Sequence, residues 1–158
     1  MKKILIPIGL IFAVGLGLIV FSVYRAYHNV QYEKDMIAHV MEVNKGGELI
    51  AEYNGVKTRV LGSNIVRIRS VLTVSDRQRV YTKPDCDTEN AVKLTFSDGA
   101  EYIVANDPAG VDSVFVLYSY KNKKLYFKIE GYKTMDWTLR AISPEGIAYE
   151  NEVIEENS

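Results

Sequence analysis

A chain of 158 residues allows about one domain with appendages. Its 47% hydrophobic and 25% charged residues exclude a disordered or collagen-like class, and a domain of this size buries a core without disulfides or metal. The net charge of −1 conceals strongly segregated blocks of opposite sign.

Ile4 to Tyr24 contains no charged residue. At a rise of about 1.5 Å per residue it spans about 31 Å, close to the hydrocarbon thickness of a bilayer, and predicts a transmembrane helix. Pro7 falls in the first turn, where a missing N–H costs nothing. A cleaved signal peptide fits less well, because the run is long and ends in bulky Val23, Tyr24 and Arg25 instead of small residues. The expected segment is therefore an uncleaved signal anchor over residues 1–24. Lys2 and Lys3 favour a cytoplasmic N-terminus and an extracytoplasmic domain. Gly9, Ala13 and Gly17 share one helical face at small-xxx-small spacing, a candidate helix-dimer contact.

Residues 25–44 read as a helical stalk without Pro or Gly. Val23, Tyr27, Val30, Lys34, Ile37 and Met41 follow coiled-coil spacing, interrupted by Lys34. Tyr32, Met36, Val40 and Val43 form a second apolar set, with which the helix packs on its own domain instead. Gly46-Gly47 breaks the helix and opens a domain over residues 45–158.

That domain reads as hairpins. Leu49–Tyr53 and Val56–Val60 flank Asn54-Gly55, with Glu52 opposite Lys57. Ser63 to Ser75 suits either a helix or a strand, and a helix packed on the sheet is preferred. Val92, Leu94 and Phe96 turn at Ser97-Asp98-Gly99 and return through Tyr102 and Val104. A turn at Asn122-Lys123 places Tyr120 opposite Leu125, Tyr118 opposite Phe127 and Val116 opposite Ile129. Met135, Trp137, Leu139 and Ala141 alternate as a strand, and Ser143 to Gly146 turns into Ile147–Tyr149. Eleven tyrosines agree with a sheet-rich unit. The fold class expected is α+β, mainly antiparallel β hairpins with one packed helix, preceded by an N-terminal transmembrane helix and helical stalk.

Chemistry is sparse. His28 and His39 both fall in the stalk, which leaves the domain without the commonest general base and metal ligand. No Ser–His or Cys–His pair can then be built within it, and no phosphate-loop, zinc-protease or dinucleotide motif occurs. No catalytic residue, cofactor or metal is expected. Asp85-Cys86-Asp87-Thr88-Glu89-Asn90 lacks the glycine and closing glutamate of a calcium loop. The same aspartates should raise the pKa of Cys86, the only cysteine.

Lys57 to Lys83 carries seven bases and one acid, and Asp85 to Asp112 seven acids and one base. Such blocks are ordinarily solvated faces that neutralise one another across a fold. The sharper expectation is a patch of Arg67, Arg69, Arg77 and Arg79 binding an anionic surface, either anionic lipid or an envelope polymer. Nucleic acid does not suit an anchored exterior domain. The expected protein is a membrane-tethered, non-catalytic binding or interaction module, an accessory subunit or envelope sensor with a protein partner or a weak homodimer. The alternative is a small envelope hydrolase using paired carboxylates.

Overall fold

The computed structural model describes residues 2–131 and 133–143, with side chains from residue 13 onward except those of residues 25 and 28. The chain divides into two compact units, Met1–Asp35 and Met36–Ser158.

The first unit is helical and belongs to α1 (Lys2–Asn44). From Ala13 to Tyr24 its side chains are exposed all round the helix, and Leu16, Ile19, Val20 and Val23 each stand more than 59% exposed (60%, 64%, 61% and 64%). Among the described residues no helix is long and apolar enough to cross a membrane. The side chains of residues 1–12 lie outside the described ones, and with them nine of the 21 residues of the expected Ile4–Tyr24 span, Gly9 included. Ala13 and Gly17 are exposed, and a Cβ on Gly17 would meet nothing within 4 Å.

In the second unit α1 ends where Gly46, at φ 106°, carries the backbone out of the helix and Gly47 N–H bonds Glu42 O at 3.0 Å. A side chain on Gly47 would press within 2.8 Å of Glu42 O. Of the stalk's apolar residues, Met36 and Val40 are buried, whereas Ile37 and Met41 are exposed.

The remaining elements are β1 (Leu49–Tyr53), β2 (Val56–Val60), α2 (Gly62–Leu72), β3 (Gln78–Val80), β4 (Val92–Phe96), β5 (Glu101–Asn106), β6 (Ser113–Tyr120), β7 (Lys123–Glu130) and α3 (Thr134–Ile142). The strands form one antiparallel seven-stranded sheet in the order β2-β1-β4-β5-β6-β7-β3, so the fold is α+β. Alternation gives it one buried face. Leu49, Phe96, Leu94, Tyr102, Tyr118, Val116 and Phe127 are joined through directly opposed pairs and are nearly inaccessible. Each large side chain there contributes about 1.5–3 kcal/mol. His39 of α1 lies against Phe96 and Tyr102 on this face.

The first hairpin has the expected register, with Glu52 opposite Lys57 and their charges 3.7 Å apart. Asn54 and Gly55 take positive φ of 50° and 76°. The β4–β5 hairpin also forms as expected, and α2 resolves Ser63–Ser75 as mainly helix.

Three expectations are corrected. β6 and β7 turn on Lys121-Asn122, a two-residue loop with Lys121 at φ 52°, so Tyr118 faces Leu125 and Val116 faces Phe127. The expected register was two residues out, and an even slip leaves every side chain on its own face. Met135 to Ala141 is helix, not strand. Thr134, Met135, Thr138, Ala141 and Ile142 are buried at helical spacing while Trp137 is 44% exposed. Two helices beyond α1 therefore pack in this unit, where one was expected. Nothing in the sequence marks β3, a three-residue edge strand paired with β7. The expected turn and strand from Pro144 to Tyr149 lie outside the described residues.

Candidate functional site

The four arginines do not form one outward face. Arg67 is exposed on α2 and Arg69 half-buried, two residues apart and so about 200° round the helix. Arg79 is paired across from Phe127, on the buried face of the sheet. Arg77 is only 2% exposed. Its Nη1 donates to Thr73 O and Val74 O at 3.0 and 2.7 Å, and its guanidinium lies 5.8 Å from the Phe127 ring centroid. The carbonyls that follow α2 offset the cost of burying its charge.

The acidic Asp85–Asn90 loop binds itself. Asp87 Oδ1 accepts the N–H groups of Glu89 and Asn90 at 2.9 and 3.3 Å, and Asn90 Nδ2 donates to Asp87 Oδ2. These bonds hold the Asp87 carboxyl below its usual range. Among the described residues no three His, Cys, Asp or Glu side chains are grouped to hold a metal. The Cys86 thiol is raised as expected, although burial is the first cause and the flanking aspartates are secondary.

The globular unit does contain a histidine. His39, on the last turns of α1, is 2% exposed in the second unit. Its Nδ1 lies 2.5 Å from Asp98 Oδ2 and its Nε2 3.1 Å from Tyr118 Oη. The rings of Phe96, Tyr102, Tyr118 and Tyr120 surround it. Sequence reasoning excluded this group because it counted the whole of α1 as stalk. The Met36–Val40 spacing was the signal that could have found it. Both ring nitrogens are engaged in the core, which makes His39 a packing and orienting group.

The arrangement best suited to a ligand is a polar cavity of about 300 Å³ beyond the ends of β5 and β6, closed by the start of α3. Larger hollows exist, but they are apolar. One of about 530 Å³ lies on α2 beside Val66, Val71 and Trp137, and another of about 410 Å³ lies between Ala51, Val56 and Leu139. Convergent polar groups set the 300 Å³ cavity apart.

Asp107 forms part of its wall and is built in tightly. Its Oδ1 accepts Ala109 N–H at 2.9 Å, and its Oδ2 accepts from Ser113 Oγ and Lys128 Nζ, each at 2.9 Å. The backbone N–H of Ala109, then the Lys128 ammonium, hold the Asp107 carboxyl below its ordinary range against the opposing effect of burial. Glu130 and Asp107 raise Lys128 in turn. Gly110 closes the loop over this pair; a side chain there would fall on Ser113 Oγ and within 2.8 Å of Asp107 Oδ2.

The rim is set by two unusual backbone positions. Asp112 and Lys133 adopt positive φ of 53° and 46°, and Gly131 N–H bonds Asp112 O at 3.0 Å. Lys133 is the N-cap of α3 and no side chain caps that helix. Its first residue, Thr134, lines the cavity, is 2% exposed, and has an Oγ1 without a hydrogen-bond partner among the described residues. A buried hydroxyl left unsatisfied costs about 1–3 kcal/mol, so a native structure ordinarily gives it a partner. Neither the left-handed backbone nor the helix start was legible in sequence, since aspartate and lysine are common in any loop.

No protein-family model matches the chain, and no curated protein or solved structure matches it.

Proposed function

We propose that the protein is a membrane-tethered, non-catalytic binding module whose ligand enters the polar cavity at the start of α3. Ile4–Tyr24 is its single-pass anchor, with the N-terminus in the cytoplasm and the globular unit outside. Support comes from the uncharged sequence of that stretch and from the apolar side chains exposed on all sides of α1 between Ala13 and Tyr24. Apolar surface left in water forgoes about 25 cal/mol per Å², a cost that a hydrocarbon environment removes.

The observation that carries the binding function is the buried Thr134 hydroxyl without a partner on the wall of a polar cavity. The engagement of Asp107 supports a non-catalytic role, because a carboxylate held ionised by three donors is a poor general acid. Asp112 and Asp136 are the carboxylates open to a hydrolase with a paired-acid mechanism, the alternative function.

The test is an NMR chemical-shift screen of the full chain in detergent micelles. The panel is glucose, N-acetylglucosamine, glycerol, inorganic phosphate, putrescine and the common amino acids. At least one compound should shift Asn106, Asp112 and Thr134 saturably without being consumed. Consumption of a compound would favour the hydrolase. An Asn106→Trp variant, which fills the rim, should block the shifts. No response at these residues across the panel would contradict a binding role for the cavity.

A further inference from the structure

The chemistry lining the cavity narrows the ligand class, on the assumption that the cavity is the binding site. At one side α3 begins without a side-chain cap, so the first N–H groups of a nine-residue helix are directed at whatever lies before Thr134. Thr134 adds a buried hydroxyl without a partner and Lys133 an exposed ammonium. Apart from the hydroxyl, which can also accept, these are all donors, and they call for an anionic acceptor such as a carboxylate.

The rest of the lining opposes a simple anion. Asp112 and Asp136 are exposed, and among the described residues their carboxylates neither form an ion pair nor accept a hydrogen bond. Asp107 is already balanced by Lys128 at 2.9 Å. Two uncompensated carboxylates against one ammonium repel a phosphate or a dicarboxylate, and they attract a cation. Only a molecule carrying both charges satisfies both sides. We infer that the cavity binds the head group of a small zwitterion, an α-amino acid, with its carboxylate on Lys133, Thr134 and the start of α3 and its ammonium toward Asp112. A volume of about 300 Å³ is at the small end of ligand pockets and suits a molecule of that size.

Asp112 and Thr134 both line the cavity, and their backbone amide NMR shifts report on the site. The full chain in micelles is titrated with each common amino acid, with the N-acetyl derivative and the amide of the best responder, and with glucose and inorganic phosphate. A free amino acid should move these shifts saturably, and each derivative should bind at least about tenfold more weakly. Thr134→Val should weaken binding about tenfold. Asp112→Asn should also weaken it, and asparagine tolerates the left-handed backbone at 112, so that variant keeps its fold. Binding of glucose or phosphate in place of any amino acid would overturn the zwitterion assignment and leave the binding site standing. Equal binding of amino acid, N-acetyl derivative and amide would overturn it too. If no compound binds, both the assignment and the site fail.

Discussion

His39 Nδ1 stands 2.5 Å from Asp98 Oδ2, joining the end of α1 to the β4–β5 turn across 59 residues of sequence. Tyr118 Oη takes up the other ring nitrogen at 3.1 Å. His39→Ala should therefore remove a filled volume and also take one hydrogen-bond partner from each of two polar groups. A loss of about 3 kcal/mol is expected in urea denaturation. Asp98→Asn should cost only about 1 kcal/mol, since an amide oxygen can still take Ala100 N–H, which now lies 3.1 Å from Asp98 Oδ1. Equal and negligible losses for both would show that α1 is not pinned here.

Acid stability should depend on Asp107. Its folded pKa is depressed, so the stability it contributes is complete above about pH 4 and is lost as the pH falls through the lower folded value. Lys128 works at the other limit: its raised pKa contributes below 10.5, and that contribution is lost as the pH climbs past the folded value. Asp107→Asn should destabilise the protein by about 2 kcal/mol at neutral pH and flatten the acid limb of a plot of urea midpoint against pH. An unchanged acid limb would mean that other carboxylates govern it.

The arginines separate by burial. Arg77→Gln should destabilise by about 2 kcal/mol, because it withdraws a charged donor from Thr73 O and Val74 O. Arg67→Gln, on the exposed side of α2, should stay within about 0.5 kcal/mol of the parent. Thermal melts of the two variants side by side decide the matter. Similar melting temperatures would contradict the structural role given to Arg77.

These outcomes follow from structure that the sequence revealed unevenly. The β1–β2 hairpin was legible because Asn54-Gly55 has few other uses, and the apolar sheet face because alternation survives an even slip of register. α3 was not legible. Over nine residues Met135, Trp137, Leu139 and Ala141 satisfy a period of two as well as the helix does, and only tertiary packing decides between them. The separate placement of the four arginines was hidden for a related reason. Sequence gives the charge of Arg77 but not the helix end that absorbs it. The cavity was the least visible feature, since it depends on the backbone at Asp112 and Lys133 and on Gly110 leaving room for Ser113.

Gly110→Ala tests how tightly that loop is built. Its methyl group would collide with Ser113 Oγ and approach Asp107 Oδ2 to 2.8 Å. Destabilisation of about 1–3 kcal/mol is expected, together with altered amide shifts at Asp107 and Ser113. Wild-type shifts and stability would show that the loop yields freely.

Orientation can be read from a single thiol. Val111 is 94% exposed, so Val111→Cys in a Cys86→Ala background offers one accessible thiol on the globular unit. A membrane-impermeant maleimide should label it in intact cells. Labelling only after lysis would place the unit in the cytoplasm.

The tether itself is tested most directly by alkaline carbonate extraction of membranes from cells expressing the full chain, beside a chain lacking residues 4–24. The full chain should remain in the membrane pellet and the shortened chain should not. Release of the full chain into the supernatant would contradict an anchor at Ile4–Tyr24, and with it the membrane-tethered function.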